Sequence, residues 1–328
     1  MFLRALKSHA KYGVAALGAT TALSYAHAEP RVYASGEALG RGIRLELWKA
    51  KHENVVVLDL ESELIQLGMT RIRSYENAGA EFVHDANNVL RAALDLALTE
   101  LPNDEEAVVT TPRGHKSEGV VFEDDVKVVG ISIAKKPEVQ KGYADYIVIT
   151  WVWKSISHVM VEYVLCRLQQ VLESTLPFDS KFGEILVAPT GKSDFKIVSA
   201  SLPDDLDGHD VLLLCPDFAS LEQVTKILHL LRQQGVEEEK ITVVTLVTCP
   251  EAADGFCQTF GDARLVTASF DAARDKDGYI VPGIGDFEDR YMGQAATVVD
   301  LPEEVESKSD EGGLTKKLTS WLPFGSKD

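Results

Sequence analysis

The most regular pattern in the chain is a pair of short apolar runs on either side of an amphipathic segment. Residues 210–215 and 241–248 are almost continuously apolar, whereas residues 220–235 repeat apolar positions at helical spacing. Continuous apolar strands that flank a helix are typical of parallel strands covered on both faces. The pattern therefore predicts an α/β fold with an open, mainly parallel sheet flanked by helices.

Shorter signals of the same kind occupy the rest of the central region. Residues 55–61 favour a strand or an extended lead-in, and residues 62–101 are mostly helical in pattern. An apolar run at 146–152 predicts a strand, and residues 155–173 after it predict a helix. Further short strands are predicted at 108–111, 119–122, 126–133, 185–187 and 195–198.

The N-terminal end, residues 1–29, differs in charge from the remainder. Arg4, Lys7 and Lys11 share one helical face, and the first acid is Glu29, which is typical of a mitochondrial targeting segment. Residues 26–28 also resemble a secretory cleavage site, and residues 12–28 approach the length of an uncleaved membrane anchor. We favour the mitochondrial interpretation because Gly and Thr dilute the apolar stretch.

The remaining boundaries follow from shifts in composition. Residues 30–53 predict a connector, residues 54–297 the main domain, and residues 298–328 an acidic linker with a short amphipathic tail. Within the tail, residues 314–322 place leucines and a tryptophan on one helical face. This tail either folds back onto its own domain or binds a membrane surface or a partner protein.

Composition changes the picture mainly by what it excludes. The 328 residues include 33 basic and 51 acidic side chains, a net charge of -18. Such a protein repels phosphate backbones, so we expect no nucleic-acid partner. The four cysteines form no CxxC pair and the eight histidines no metal motif. We therefore expect buried thiols in a reducing compartment and no bound metal.

Four segments carry a resemblance to one family. The stretch Gly278–Gly293 closely resembles the uracil-binding signature of uracil phosphoribosyltransferases over sixteen positions. Residues 246–251, 265–271 and 111–114 resemble a Val-Ala-Ala-Pro-Glu turn, a Val-Thr-Ala-Ala-Ile-Asp strand and a Thr-Pro-Leu-Gly turn of the same family. The resemblance extends from about Val55 to Gly293 and implies the phosphoribosyltransferase fold.

The resemblance also implies where uracil would bind. Positions that match Tyr279, Ile280, Gly285 and Phe287 line the base pocket in the family, and Asp286 matches a carboxylate near the ribose. Glycine permits the close backbone approach that such a pocket needs, since no Cβ blocks it. The alternative is that the segment is retained because the fold or a dimer requires it.

The loop that would hold the 5-phosphate of phosphoribosyl pyrophosphate departs from the family pattern, Asp-Pro-Met-x-Ala-Thr-Gly-Gly-Ser. The corresponding residues include Cys215, Pro216, Asp217, Ala219, Ser220, Leu221 and Glu222. Cys215 replaces the first carboxylate, and Leu221-Glu222 replaces the Gly-Gly pair. Such loops bind phosphate through backbone N–H groups at a helix N-terminus, so added bulk and a negative charge predict lost binding.

Two other elements that act on the same substrate also differ. The family clamps pyrophosphate with an Arg-Asp pair, but residues 185–192 carry Ala188-Pro189 there and Lys192 as the cation. We place the family's Leu-Arg-Ala-Gly segment near residues 151–155, where Lys154 is the cation. Lysine does not reproduce the planar fork of arginine.

These three departures predict a catalytically inactive uracil-phosphoribosyltransferase-like protein. We expect it to serve as a structural or accessory subunit of a mitochondrial assembly, bound to other protein subunits, with a respiratory enzyme or an ATP synthase membrane complex as a candidate host. One alternative is an active transferase that uses Mg²⁺ and makes uridine monophosphate; another is a uracil or nucleotide sensor. Relatives are commonly dimers or tetramers, so a homodimer is also open.

Overall fold

A computed structural model of the protein describes Leu45 and residues 48–50, 52–135, 147–190 and 194–293. The predicted targeting segment, most of the connector, the amphipathic tail and Lys192 lie outside these residues. The side chain of Lys154 likewise lies outside the description, although its backbone is part of a helix.

The fold is built on one mixed sheet, in which β7 and β9 are completely buried. Its order is β1-β10-β9-β7-β4-β5-β6, with β8 paired to β9 beyond the end of β7. All pairs are parallel except β5 with β6. The strands are β1 (Val55–Val57), β2 (Asn103–Thr110), β3 (Lys116–Phe122), β4 (Val128–Lys135), β5 (Lys181–Pro189), β6 (Phe195–Ser201), β7 (Asp210–Leu214), β8 (Asp217–Phe218), β9 (Ile241–Thr248), β10 (Arg264–Phe270), β11 (Ala273–Arg274) and β12 (Ile280–Val281).

Helices cover this sheet through apolar faces. The helices are α1 (Glu63–Arg73), α2 (Ala80–Leu98), α3 (Ile147–Thr175), α4 (Leu221–Gln233), α5 (Pro250–Thr259) and α6 (Phe287–Tyr291), with 3₁₀ turns at Leu58–Leu60 and Glu238–Lys240. Helix α2 buries Phe82, Val89 and Leu94 along one face, as its helical spacing predicts. The observed architecture confirms the predicted α/β class with a mainly parallel sheet.

The strand predicted at residues 146–152 is wrong. Residues 147–175 form the single helix α3, which includes the helix predicted at 155–173. The first turns are rich in β-branched and aromatic residues, which favour strands in isolation. Because an apolar run of this length fits a strand or a buried helix equally well, periodicity alone does not separate them.

The last part of the predicted connector packs on the main domain. Leu45 is buried in the core, and the Trp48 ring lies 4.7 Å from the ring of Phe270 between centroids. The indole Nε1 of Trp48 donates a 2.5 Å hydrogen bond to Asp254 on α5. The folded region therefore includes residues that precede β1.

Strands β2 and β3 form a separate antiparallel hairpin. The Thr111–Gly114 turn lies at its tip, where the Gly114 N–H donates to the Thr111 carbonyl. Gly114 has a φ of +79°, a conformation that suits glycine.

The four cysteines differ in their exposure to solvent. Cys215 and Cys249 are buried and Cys257 is half-buried, but Cys166 is exposed, so the prediction of four buried thiols is wrong at one position.

None of the helices in the described ranges combines the length and the apolar character that a bilayer crossing requires.

Candidate functional site

The carboxyl ends of β4, β7 and β8 meet at one edge of the sheet. Lys135 ends β4, and Cys215 and Asp217 follow β7. In open α/β sheets this edge is where ligands bind, because loops and helix N-termini converge there. The substituted loop and the signature segment both reach this edge.

Cys215 is a core residue. Its side chain is fully buried, and its thiol donates to the Asp217 carbonyl at 3.3 Å. The buried amide of Gln223 donates to the Cys215 Sγ at 3.3 Å. Burial raises the pKa of the Cys215 thiol above its ordinary range. A neutral, enclosed thiol therefore lies at the start of this loop.

Asp217 is held by an ion pair across the sheet edge. The Lys135 Nζ lies 2.6 Å from the Asp217 Oδ2, and both side chains are mostly buried, with 22% and 12% exposure. Burial alone would lower the pKa of Lys135, but the charges of Asp217 and Glu288 raise it above its ordinary value. Lys135 thus stays protonated and is already neutralised by this chain's own carboxylates.

Glu288 of α6 completes this buried group, which we call the edge cluster (Lys135, Asp217 and Glu288). Its Oε1 accepts a 3.0 Å hydrogen bond from the backbone N–H of Lys135. The residue is only 6% exposed. Burial raises the pKa of Glu288 to about 7, although the Lys135 charge acts in the opposite direction. The edge cluster therefore links the signature segment to β4.

The remaining residues of this loop also make hydrogen bonds within the protein. The Pro216 carbonyl accepts from the backbone N–H of Leu246 at 3.0 Å and the Ala219 carbonyl from Arg274 at 3.3 Å. Ser220 is the N-cap of α4, and its hydroxyl donates to the Glu222 carboxylate. An acidic side chain therefore lies in the first turn of the helix that follows the loop, where it complements the helix dipole.

Leu221 packs on the next helix. A Cβ added at Gly255 of α5 would lie 3.1 Å from the Leu221 Cδ2, so the glycine makes room for this side chain. Leu221 is half-buried against the core. Leu221 therefore makes a packing contact between α4 and α5.

The signature segment is anchored at its centre by Asp271. The Asp271 Oδ2 accepts from the Gly283 N–H at 2.8 Å, and Arg73 of α1 donates to both Asp271 carboxylate oxygens at 2.8 and 2.6 Å. Arg73 also donates to the Gly283 carbonyl at 3.0 Å. Gly283 has a φ of +63°, and a Cβ there would lie 2.1 Å from the Ile280 carbonyl oxygen. Only glycine fits this position.

A second arginine anchors the end of the same segment. Arg290 is 4% exposed, and its guanidinium lies 4.0 Å above the Phe82 ring centroid. It donates to the backbone carbonyls of Ile72, Ile284, Ser74 and Asn77 at 2.6, 2.7, 2.8 and 2.7 Å. These bonds join α6 to the α1–α2 connection.

The five residues predicted to line a uracil pocket have different surroundings. Ile280 is 7% exposed and Phe287 is fully buried, with its ring stacked on Tyr291 at 4.9 Å. The Asp286 side chain caps α6 by accepting from the Asp289 N–H at 2.8 Å. Tyr279 is 46% exposed, and Gly285 has a φ of +73°. The apolar members of this set are therefore mainly part of the core.

Comparisons with known proteins bear on the same residues. A family model described as uracil phosphoribosyltransferase matches residues 166–293. The uracil phosphoribosyltransferase of Dictyostelium discoideum is 30% identical over 241 residues, which cover 74% of this chain and 97% of that protein. The chain belongs to the uracil phosphoribosyltransferase family. Uracil phosphoribosyltransferase 1 of Schizosaccharomyces pombe is 29% identical over 248 residues, 75% of this chain and 98% of that protein.

A solved structure agrees on the fold. The AQ2163 protein from Aquifex aeolicus superposes with a TM-score of 0.53 at 18% identity, covering 72% of this chain and 97% of that chain. At this identity the likeness concerns the fold alone. Together with the family match, it confirms a phosphoribosyltransferase-like sheet flanked by helices.

The prediction that residues 151–155 take the place of the family's Leu-Arg-Ala-Gly segment is wrong in position. Those residues lie inside α3, whereas the segment follows a central strand in the family. The central strand that precedes α3 is β4, which pairs with β5 and β7 and ends at Lys135. Lys135, rather than Lys154, is therefore the cation at the end of that strand.

The region that corresponds to the pyrophosphate clamp is the hairpin of β5 and β6, and β6 is the outermost strand on that side of the sheet. Ala188 and Pro189 are the last residues of β5, paired with Lys196 and Phe195 of β6. After them, the Thr190 hydroxyl donates to Asp194 at 2.9 Å, and Lys226 of α4 pairs with Asp194 at 2.7 Å. Lys226 is thus attached to the hairpin.

Sequence reasoning missed the residues that organise this candidate site. Arg73, Lys135, Asp271, Glu288 and Arg290 were not singled out, although three of them lie in segments that carry the resemblance. Their partners lie up to 218 residues away in sequence, so only the fold brings them together. The charged character of 286–290 inside an apolar region was the available signal.

Among the described residues at this edge, two cations have partners within the chain, although Arg274 keeps its positive charge because its partner is a neutral carbonyl. Lys135 is paired with Asp217 and Arg274 with the Ala219 carbonyl. Within the described part of the chain, no group of three His, Cys, Asp or Glu side chains is arranged to hold a metal ion. Asp217 binds a lysine, Glu222 a hydroxyl and Asp286 the N-terminus of α6, so these three carboxylates do not form a Mg²⁺ site.

Proposed function

We propose that this chain is a non-catalytic member of the uracil phosphoribosyltransferase family that serves as an accessory subunit in a mitochondrial assembly. The observation that carries the loss of catalysis is the start of α4. Ser220 is bound to the Glu222 carboxylate, and Leu221 fills a contact with Gly255, so this turn is occupied by side chains of the chain itself. A phosphate-binding turn needs open backbone N–H groups and a local excess of positive charge.

Electrostatics support the same proposal. A phosphate that approached the first turn of α4 would meet Glu222, and two like charges about 4 Å apart repel by roughly 1 kcal/mol in bulk water and about 4 kcal/mol at an effective dielectric constant of about 20. Lys135 would offset this only by giving up its 2.6 Å contact with Asp217. Breaking that pair would leave a mostly buried carboxylate uncompensated, which adds a further cost.

Turnover is the direct test. Purified protein would be incubated with uracil, phosphoribosyl pyrophosphate and Mg²⁺, and uridine monophosphate would be quantified, with the Dictyostelium relative as the positive control. We expect no product above background and no calorimetric heat with millimolar phosphoribosyl pyrophosphate. Turnover at ordinary enzyme rates of about 1 per second or more would overturn the proposal.

A variant in which the phosphate loop is restored to the family pattern can be compared with the wild-type protein. The triple change Cys215→Asp, Leu221→Gly and Glu222→Gly recreates the family's carboxylate and glycines. We expect it to gain weak binding of phosphoribosyl pyrophosphate without turnover, because the Arg-Asp clamp is also missing. Glu222→Gln alone removes the charge but keeps the packing, and it separates repulsion from steric exclusion.

The retained signature segment and the names of the relatives favour a second candidate, an active uracil phosphoribosyltransferase. Gly283 and Gly285 keep the positive φ that brings backbone close to a flat base. Under this candidate Mg²⁺ would enter with the substrate. Product in the wild-type assay, lost on further mutation of Asp286→Ala, would support it.

The accessory role rests on a fold whose polar edge is used internally and on the N-terminal pattern of basic residues. Native electrophoresis of mitochondria that carry a tagged chain would test it, with import followed by fractionation. We expect migration with a complex much larger than 35.9 kDa. Migration at the mass of the chain or its dimer, or location outside mitochondria, would contradict the role even if catalysis is absent.

A further inference from the structure

The outer side of helices α1 and α2 carries exposed leucines. Leu64 and Leu67 of α1 are 68% and 61% exposed, and Leu96 of α2 is 36% exposed. Residues three apart lie on the same side of a helix, so the two leucines of α1 form one apolar stripe. Large apolar side chains grouped at a surface mark a place that another apolar group can cover.

Two contacts show that α1 and α2 run antiparallel. Arg71 of α1 pairs with Asp85 of α2 at 2.9 Å. A Cβ added at Gly68 of α1 would lie 2.4 Å from the Cγ2 of Val89 on α2, so the glycine lets the two helices approach closely. A step of three residues back along α1 thus corresponds to a step of four residues forward along α2.

This register brings the exposed leucines together. Leu64 precedes Gly68 by about one turn and Leu96 follows Val89 by about two turns, so both lie on the helix sides that face each other. The antiparallel register places them at the same end of the helix pair. Leu67 lies about one turn from Leu64 on the same side of α1. We call Leu64, Leu67 and Leu96 the leucine face, since they border the line along which the two helices meet.

The described part of the chain ends beside the same two helices. A Cβ added at Gly293 would lie 3.8 Å from the Cα of Gly79, the residue before α2. Residues 294–313 then lead to the amphipathic segment 314–322. A flexible chain of that length spans about 25 Å on average, whereas α1 is only about 16 Å long. The segment is therefore within reach of the leucine face.

The sequence of this segment is complementary to the leucine face. Its apolar positions, at helical spacing, are Leu314, Leu318, Trp321 and Leu322. Lys316 and Lys317 lie beside them in a tail that is otherwise mainly acidic up to residue 311. Glu61 and Glu63 are exposed at the start of α1, although Glu61 also pairs with Lys49 at 3.2 Å. An apolar stripe next to exposed acids therefore matches an apolar segment next to lysines.

We propose that residues 314–322 bind to the leucine face of the same chain. The connection through residues 294–313 gives the segment an effective concentration in the millimolar range, about what a short flexible linker provides, so a modest apolar contact is sufficient. The segment is then held by its own domain and is not available to a membrane surface or to a second protein. The inference is independent of whether the chain is catalytic.

Trypsin cleavage of the intact chain tests this contact, because lysines lie at 316–317 within the segment and at Lys308 before it. We expect slow cleavage at 316–317 relative to Lys308 in the wild-type chain. Leu64→Glu with Leu67→Glu should raise this relative rate about 10-fold or more, since proteolysis follows the population of the open form. The matched control is Val159→Glu on α3, a valine that is 64% exposed, and it should leave the ratio unchanged.

Disulfide trapping provides an independent measurement of position. In a chain with Cys166→Ser, the pair Leu67→Cys and Leu318→Cys should cross-link within one molecule under mild oxidation, as mass spectrometry would show. The control pair is Tyr75→Cys with Leu318→Cys, because Tyr75 is 66% exposed and lies four residues from Gly79, near the point where the tail leaves the domain. We expect the first pair to react about 10-fold faster, since binding raises the local concentration only at the leucine face.

Three outcomes would overturn the proposal. Equal cross-linking of the two cysteine pairs would show that the tail moves past both positions without binding. Cleavage at 316–317 that is as fast in the wild-type chain as in the Leu64→Glu, Leu67→Glu variant would show that the leucine face gives no protection. Protection that requires anionic vesicles or a second protein would assign the segment to that partner instead.

Discussion

Arg290 stabilises the signature segment through contacts that no other residue type provides. One planar guanidinium bonds to backbone carbonyls on α1, on the α1–α2 connection and at Ile284, and stacks on Phe82. Lysine would reach fewer of these acceptors, because its ammonium is a compact point charge. The residue joins three segments and has no need of a ligand to hold its position.

Removal of this guanidinium should be costly. Arg290→Met keeps the apolar stem but leaves four carbonyls without their donor, so we expect a loss of about 3–5 kcal/mol in the free energy of unfolding. Urea denaturation would measure it. Arg232→Met is the control, since the Arg232 side chain is 50% exposed and pairs with Glu238, and the change should cost about 1 kcal/mol or less. Equal effects of the two changes would contradict this assignment.

The buried Glu288 should make the protein less stable as pH rises from mildly acidic to alkaline values. Its folded pKa of about 7 lies above the ordinary value of 4.5, so the folded state holds the proton more tightly than the unfolded state. The protonated Glu288 contributes fully to the free energy of unfolding below pH 4.5, and this contribution is lost as pH rises through about 7. Relative to wild type, Glu288→Gln should therefore gain on the order of 2–3 kcal/mol from pH 5 to pH 8. A stability difference that does not change with pH would refute it.

At the scale of elements, the signature segment is a backbone structure shaped by glycine. Gly283→Ala adds a Cβ 2.1 Å from the Ile280 carbonyl, so the backbone must shift, and we expect a loss of about 3 kcal/mol or more. Gly208→Ala is the matched control, because Gly208 has a φ of +67° with open space around it and should cost about 1 kcal/mol. Thermal unfolding would rank the two; similar midpoints would show that the close contact relaxes freely.

The elements differ in how far their sequence determines them. Strands β7 and β9 are predictable because both faces are buried, and a continuous apolar run is what that environment requires. The start of α3 is not, since tertiary packing and helix continuity override the strand preference of its β-branched and aromatic residues. Misplacing that element also moved the predicted cation from Lys135 to Lys154.

The residues of the candidate site also differ in how far the sequence alone predicts them. Residues 215–222 contain no glycine, which the sequence alone reveals, because a phosphate loop is predicted from a local motif. The edge cluster is invisible in the sequence, since its members come from β4, β8 and α6, and their proximity depends on strand order. A lysine and two carboxylates separated by 82 and 71 positions have no periodicity that would relate them.

At the scale of the whole molecule, the position of Trp48 bears on where the folded unit begins. Its indole packs on Phe270 at the end of β10 and on His52 at 4.3 Å between ring centroids, and it bonds to Asp254 of α5. These contacts join a segment that precedes β1 to two elements from the last third of the chain. A domain cut at residue 54 would expose the faces that Trp48 covers.

We therefore expect a fragment of residues 44–293 to be more stable than a fragment of residues 54–293. Loss of a half-buried tryptophan and its hydrogen bond should lower the free energy of unfolding by about 2–4 kcal/mol, as urea denaturation would measure. Trp48→Ala in the longer fragment should reproduce most of that loss, because the indole makes the main contacts. If both fragments unfold at the same urea concentration, the contacts of Trp48 do not contribute to the stability of the domain, and the prediction is wrong.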